Sequence, residues 1–312
     1  MDIIIVCHTE FGFVHSNKQI VFDKKNNRGV REGVLNLVKI AEKYGAKITF
    51  AVCPEVVNCF PKGIKHEIGL HIHPGYKEYT RNGFNFFIGD SYLKEHCKQS
   101  VNSSILKDYS FEEQLDMITT GRDYLNKTFG YNPKSFVAGR WSLNNDTIKA
   151  LTGAGFTHDC SVPPHSKSDR YDYSKLSRIC MPYHPAENDY QKKGSAPILI
   201  TPISKYFPNG GVSPEAINSV GVGWLKACFL EYYKQNAPLF HICLHSPSME
   251  DEYFISAMDD LIHFISKHKN INFKFVSEIK EYPENNFKTN LLPYIFRINK
   301  NILKTYLLRV IK

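Results

Sequence analysis

The 312-residue sequence lacks the features of several protein classes. It contains no internal repeat and no low-complexity linker. Its eight cysteines include no CxxC pair, so we expect reduced and mostly buried thiols. A composition of 42% hydrophobic and 22% charged residues, with a mean hydropathy of −0.33, excludes disordered, collagen-like and multi-span membrane proteins. The chain therefore has enough apolar residues to form a substantial hydrophobic core and enough charged residues to stay in solution.

The N-terminus lacks the basic segment of a secretory signal. Asp2 stands there, and the apolar run that follows has only about five residues, fewer than the roughly 7 to 15 that a signal requires. We therefore expect a cytoplasmic protein.

Positive charge is in modest excess, and most of the excess lies in one place. The formal net charge is +8, and the sequence from Asn285 onward contains six basic and no acidic residues. The rest of the chain lacks the basic excess of nucleic-acid-binding domains, so we expect no nucleic-acid partner. We divide the chain into a body, residues 1–284, and a basic tail, residues 285–312.

Short apolar runs alternate with amphipathic helical patterns over most of the body, which is typical of a parallel sheet. No glycine-rich phosphate turn follows the first run, so a closed or partly closed barrel is favoured over a dinucleotide-binding sheet. The predicted strands cover residues 2–7, 47–52, 67–71, 135–137, 157–160, 198–203, 239–244 and 272–276. The predicted helices cover residues 31–44, 110–126 (behind a capping box), 144–152, 214–234 and 250–267.

Two connections, residues 73–109 and 161–197, are too long for simple turns and are rich in aromatic side chains. Such loops suit the apolar faces of sugar rings. They are equally compatible with a satellite core beneath a long loop.

Side chains that bind metals follow three of the predicted strands. His8 and Glu10 end the first strand, His71 and His73 the third, and His245 the seventh. Parallel α/β folds place their active sites at these carboxyl ends, and residues two apart in an extended chain face the same side. Imidazoles with one carboxylate form a zinc-type catalytic site that leaves a position for water. Each residue alone is also compatible with an ordinary exposed or hydrogen-bonded side chain, so the prediction depends on their convergence.

Four segments resemble, in order and spacing, the motifs of the polysaccharide deacetylase superfamily, the NodB-homology domains of carbohydrate esterase family 4. They are IVCHTE at residues 5–10, HEIGLHIHP at residues 66–74, SFVAGRW at residues 135–141 and FHICLH at residues 240–245. The resemblance implies a distorted (β/α)7-type barrel of mostly parallel strands with long inserted loops. It also implies a divalent metal and the hydrolysis of an N-acetyl, or less often O-acetyl, group on a glycan.

The same resemblance implies roles for individual residues. Glu10 and His71 match metal ligands, and Arg140 matches the arginine that orients the catalytic base. Leu244 matches a residue that helps to line the acetyl pocket, and His245 matches the general acid.

The sequence departs from the motifs at two positions, and no clear fourth motif is visible. His8 stands where the base carboxylate is expected, and Gly75 stands where the second metal histidine is expected. An imidazole with a pKa of about 6.5 can accept a proton near neutral pH, so His8 is a candidate base; alternatively, it is itself a ligand. His73 can replace the missing ligand if the chain stays extended through Ile72.

We therefore expect a Zn²⁺-dependent deacetylase-like hydrolase of bacterial surface glycans, with carbohydrate as its substrate. The metal would be held by Glu10, His71 and His73. Trp141 is a candidate wall for a sugar ring and His184 a candidate for binding substrate polar groups, although both also fit structural roles. The alternative is an inactive barrel that binds glycan or serves as a subunit of a glycan-assembly complex.

The tail has the pattern of a basic amphipathic helix. Over residues 291–312, apolar side chains alternate with Arg297, Lys300 and Lys304. Two interpretations stay open. Such a helix can lie on an anionic membrane surface, or it can pack on the barrel or on a partner subunit.

Overall fold

A parallel sheet forms the centre of the computed structural model, which describes residues 1–81, 84–283 and 286–304. Its strands are β1 Asp2–Thr9, β2 Thr49–Val52, β3 Glu67–Ile72, β4 Ser135–Ala138, β5 His158–Asp159, β6 Leu199–Ile200, β7 Leu239–His245 and β8 Asn272–Phe273. They follow the order β6-β5-β4-β3-β2-β1-β7, and β8 pairs with the first two residues of β1. All eight lie where the sequence predicts strands.

The sheet curls through 236° and is completed by a loop. Where β6 and β7 would otherwise meet, residues 201–212 form a bridge that we call the seam. His241 of β7 donates its backbone N–H to Ser204 Oγ at 2.8 Å, and Cys243 donates its backbone N–H to the carbonyl of Val212 at 3.0 Å. The distorted barrel predicted from the sequence is therefore confirmed.

Alternate side chains of each strand face opposite sides of the sheet. Ile4 and Val6 of β1 contribute to a small apolar cluster inside the barrel, whereas Ile3 and Ile5 pack between the sheet and the helices. Burial on both faces accounts for the nearly continuous apolar runs that mark these strands in the sequence. All eight cysteines are free thiols, and six of them are buried, as expected.

Helices surround the sheet at most of the predicted positions. The α-helices are α1 Val34–Tyr44, α2 Ser91–His96, α3 Phe111–Phe129, α4 Asn145–Gly153, α5 Ile217–Val220, α6 Val222–Lys234, α7 Glu252–Ser266 and α8 Leu292–Ile295. Shorter helical turns cover Gly29–Gly33, Pro54–Cys59, Leu106–Asp108, Gly139–Trp141, Pro214–Ala216, Ser246–Glu250 and Val276–Glu278.

Local residue chemistry sets the helix ends. The predicted capping box is present, since Ser110 Oγ accepts the N–H of Glu113 at 3.3 Å and the Glu113 carboxylate accepts the N–H of Ser110 at 3.1 Å. The single helix predicted over residues 214–234 is wrong. Gly221 adopts a φ of 73°, which an α-helix does not accommodate, and it separates α5 from α6.

The two long connections contain small hairpins that the sequence pattern did not reveal. The first carries Tyr76–Arg81 paired with Phe84–Gly89, and the second carries Pro185–Ala186 paired with Asp189–Lys193. Two further hairpins pair Phe13–Val14 with Ile20–Val21, and Lys205–Tyr206 with Gly210–Gly211. The last two have strands of only two residues, which are too short to show an alternating pattern.

The first part of the basic tail packs on the barrel. The ring of Tyr294 in α8 lies 4.6 Å from that of Trp224 in α6, and its hydroxyl donates to Glu231 Oε2 at 2.8 Å. Arg178 forms a buried ion pair with the same carboxylate. Residues 300–304 are again helical, and the remainder of the predicted tail helix, residues 305–312, lies outside the described residues.

Within the described ranges, no helix is both long enough and apolar enough to cross a bilayer.

Glu231→Ala is expected to destabilise the protein by about 3–5 kcal/mol, because it leaves the Arg178 guanidinium buried without its partner carboxylate. Denaturant unfolding measures this loss. Glu187→Ala, which removes an exposed carboxylate, is the control and is expected to change stability by less than about 0.5 kcal/mol. Equal stabilities of the two variants would contradict the structural role of Glu231.

Candidate metal centre

Three strand ends bring four histidines and one glutamate together. His8 on β1 and His245 on β7 are direct register partners, and His71 lies near the end of β3. Strand β2 lies between β1 and β3, but the residue paired with His8 on this strand is Ala51. Because its side chain is small, the rings of His8 and His71 approach to 4.8 Å between centroids.

Glu10 lies at the centre of the group. Its Oε1 is 3.1 Å from His71 Nε2 and 3.9 Å from His245 Nε2, and its Oε2 is 3.5 Å from His73 Nε2. The ring of His8 is 4.8 Å from that of His245, and the ring of His71 is 4.7 Å from that of His73. All five predicted strand-end residues therefore converge.

The protonation pattern of this group fits a cation. His71 Nδ1 lies 2.9 Å from the carbonyl of Val137, which can only accept, so Nδ1 carries a proton. His71 Nε2 faces Glu10 at 3.1 Å, where it donates a hydrogen bond when it is protonated and offers a lone pair to a cation when it is not. His8 Nε2 and His73 Nδ1 are buried without a hydrogen-bond partner among the described residues. Donor atoms of His8, Glu10 and His71 lie within 4.8 Å of one another. A divalent ion held by His8, Glu10 and His71 would satisfy the donor atoms of these three residues, whereas His73 Nδ1 lies against Gly139.

The charges at the site are also suited to metal binding. Burial acts to raise the pKa of Glu10, but the charge on His73 and the hydrogen bonds from His71 and His73 outweigh it and hold the pKa well below its usual range. Burial, together with the neighbouring charges of His71 and His245, lowers the pKa of His8 well below its usual value. The cluster therefore combines an ionised carboxylate with a neutral imidazole.

Glu215 is a further site residue that the sequence analysis missed. Its carboxylate lies 3.0 Å from His245 Nδ1 and accepts the backbone N–H of His245 at 2.6 Å. Burial acts to lower the pKa of His245, but the charge and hydrogen bond of Glu215 outweigh it and raise the pKa to about 9. His245 is thus held in the protonated state that a general acid requires. The sequence predicted a helix from Pro214 onward, but nothing there linked Glu215 to a histidine 30 residues later.

The cluster lies in a cleft of about 810 Å³ that includes two of the other predicted residues. Arg140 and Trp141 follow β4 with φ values of 59° and 55°, a conformation that turns the chain sharply beside His73. The Arg140 guanidinium lies 6.0 Å from the ring of Tyr79. In the part of the chain described, it makes no ion pair, and no hydrogen bond joins it to His8.

Leu244 and His184 do not line this cleft. Leu244 precedes His245 on β7 and therefore faces the opposite side of the sheet, where it is buried against the helices. His184 precedes a hairpin of the second long connection, and its Nδ1 lies 2.9 Å from the carbonyls of both Ala196 and Ile198. Their predicted contact with substrate gains no support from these positions.

Comparison with known proteins identifies the fold. No protein-family model and no curated protein sequence matches the chain. Solved structures do match, among them a probable polysaccharide deacetylase from Pseudomonas aeruginosa PAO1 and the PuuE allantoinase. Each is 16% identical with a TM-score of 0.54, over 89% of this chain and 88% of the other. A 4-alpha-glucanotransferase from Thermococcus litoralis matches with a TM-score of 0.55 and 13% identity, over 89% of this chain and 40% of that one.

These matches confirm, at the level of the fold, the resemblance to polysaccharide deacetylases predicted from the motifs. The three proteins named here have names that refer to different reactions, so the function of this chain has to be argued from its own site.

The absence of a side chain at Gly139 leaves room for the His73 ring. Substitution of Gly139 therefore tests the packing of the site. A Cβ atom at residue 139 would lie 2.4 Å from His73 Nδ1 and 2.5 Å from the carbonyl of Ile72. Gly139→Ala is therefore expected to displace His73 and to destabilise the protein by about 1–3 kcal/mol.

Gly153→Ala is the matched control, because its new Cβ would meet nothing closer than 3.6 Å at the end of α4. It is expected to stabilise the protein by about 0.5–1 kcal/mol. Thermal unfolding compares the two variants, and an unaffected Gly139→Ala protein would contradict the close packing at His73.

Proposed function

We propose that this protein is a metal-dependent hydrolase that removes an acetyl group, most often N-linked, from a glycan or glycan precursor of the bacterial surface. One observation supports this above all. Glu10 faces three imidazoles at the floor of a large cleft, and His8, whose donor atom lies within 4.8 Å of those of Glu10 and His71, has a buried Nε2 without a partner among the described residues. Such a donor set suits Zn²⁺, which prefers imidazole nitrogens and carboxylate oxygens.

Glu10 and His71 belong to every ligand set that the site allows, and His8 or His73 would complete it. The short mutual distances of the His8, Glu10 and His71 donors support His8 as the third ligand. His73 would then contact the other carboxylate oxygen of Glu10, Oε2, which lies 3.5 Å from His73 Nε2. A bound zinc ion supplies Lewis-acid polarisation of the acyl carbonyl and activation of water.

The protein's own residues would supply the proton and hold the substrate. His245, kept protonated by Glu215, is suited to donate a proton to the departing sugar nitrogen, so that the amine leaves neutral. Trp141 and Tyr171, with ring centroids 6.0 Å apart at the cleft, offer apolar surface to a sugar ring. Arg140 offers a charge that pairs with no carboxylate among the described residues.

Bound metal and amine release from N-acetylated sugars test the proposal together. We expect purified protein to contain about one zinc ion, and removal of the ion by a chelator to abolish amine release until zinc is restored. His71→Ala and His8→Ala are each expected to weaken zinc binding by roughly tenfold or more. His263→Ala, which changes an exposed histidine of α7, is the control and should leave zinc content unchanged.

Two results would change the proposal. Full zinc content with lost turnover in His8→Ala would make His8 the base and would return the third ligand position to His73. Glycan binding without zinc or turnover in the unaltered protein would instead support the inactive barrel. That alternative is favoured by one feature, the imidazole of His8 at the position of the expected base carboxylate.

Glu215→Gln tests the general acid. Activity requires protonated His245, so the rate of the unaltered enzyme is expected to fall as the pH rises through about 9. Without the charge of Glu215 the pKa of His245 falls, and the alkaline limb of the kcat profile is expected to move about one pH unit or more towards neutrality. Glu95→Gln, an exposed substitution on α2, is the control. An alkaline limb that stays in place would exclude His245 as the acid.

A further inference from the structure

The C-terminal segment, residues 290–304, is attached to the barrel by one side. Tyr294 and Ile302 are buried, and Asn299 Nδ2 donates to the carbonyl of Val220 at 3.1 Å. Asn290 donates its backbone N–H to Glu231 Oε1 at 2.8 Å. These contacts hold the segment in a defined orientation, so its opposite side is a fixed surface.

That opposite side is unusually apolar. Ten large apolar side chains are exposed in the described part of the chain, and six of them lie between residues 291 and 303. Phe296 is 79% exposed, Ile295 56% and Ile298 55%. The other three are Leu291, Leu292 and Leu303. Exposed apolar side chains concentrated in one segment in this way are typical of an interaction surface.

The charge of the segment indicates what it binds. Lys300 and Lys304 are exposed beside the apolar side chains, and residues 285–312 contain no aspartate or glutamate. A second copy of the chain is disfavoured, because a two-fold interface would place two positively charged faces against each other. An anionic bilayer complements both features of the segment. Its negatively charged headgroups attract the lysines, and the acyl chains beneath them accommodate the apolar side chains.

The segment is attached close to the cleft, as expected if the protein acts on a substrate at a membrane surface. Val220, which accepts the hydrogen bond from Asn299, directly follows Ser219, and Ser219 lines the cleft that holds the histidine cluster. The segment is therefore attached to the barrel next to a residue that lines the cleft.

We propose that the C-terminal segment is a docking surface for an anionic lipid bilayer. The apolar side chains enter the boundary between headgroups and acyl chains, and Lys300 and Lys304 remain at the level of the lipid phosphates. Docking in this orientation positions the cleft close to the membrane surface. This inference concerns where the protein acts and does not depend on the proposed hydrolysis.

Co-sedimentation of the full chain with vesicles tests the proposal. We expect the protein to bind vesicles of equimolar phosphatidylglycerol and phosphatidylcholine, to bind pure phosphatidylcholine weakly, and to dissociate as salt is added. Ile295→Ser with Phe296→Ser is expected to lower partitioning by roughly tenfold or more. Lys300→Glu with Lys304→Glu is expected to do the same by reversing the charge.

Matched controls use exposed residues on other parts of the surface. Leu35→Ser with Val101→Ser removes two exposed apolar side chains, and Lys39→Glu with Lys267→Glu reverses two exposed lysines. Both controls are expected to bind vesicles as the unaltered protein does. Since all the substituted side chains are exposed, the variants should fold normally, and thermal unfolding verifies that they do.

Three outcomes would overturn the proposal. The first is no binding to phosphatidylglycerol vesicles at low salt, and the second is unchanged binding by both segment variants. The third is a dimer in sedimentation velocity that the Ile295 and Phe296 substitutions convert to a monomer, which would assign the face to a second copy of the chain.

Discussion

The parallel register of β1 with its neighbours is the constraint on which the site depends. It sets His8 opposite His245 on one side and opposite Ala51 on the other, so that two imidazoles converge and a third reaches them over a small side chain. Glu10, which follows the strand, then stays ionised in a partly buried position because the histidines surround it. A slip of one residue would turn His8 outward and end the cluster.

Much of this arrangement was predictable from the sequence. The strands are apolar on both faces and long enough to stand out, and the rule that parallel folds use their carboxyl strand ends identified five converging residues. Periodicity also contains the reason why Leu244 does not line the cleft. Leu244 is next to His245, so the pleat of the strand directs its side chain to the helix side of the sheet. The motif resemblance had placed it at the acetyl pocket, on the other side.

Other features were beyond the sequence because they depend on contacts between distant segments. Glu215 lies at the start of a helical turn, and only the approach of the seam to β7 brings it to His245. Gly221 weakens the helical pattern, but a glycine inside such a pattern does not by itself show that the helix ends there. His184 stood out because of its neighbours in the sequence, whereas its position depends on a hairpin too short to recognise.

The seam determines which part of the barrel opens first when the protein is heated. Val212 belongs to the seam and Glu215 follows it by three residues, so His245, the proposed general acid, and its partner carboxylate meet beside a junction that a loop rather than paired strands completes. Junctions held by few hydrogen bonds open at lower free energy than strand-paired ones. Mild heating would therefore separate His245 from Glu215 while most of the sheet is still paired. Any activity that depends on this pair would be lost at a lower temperature than the one at which the barrel unfolds.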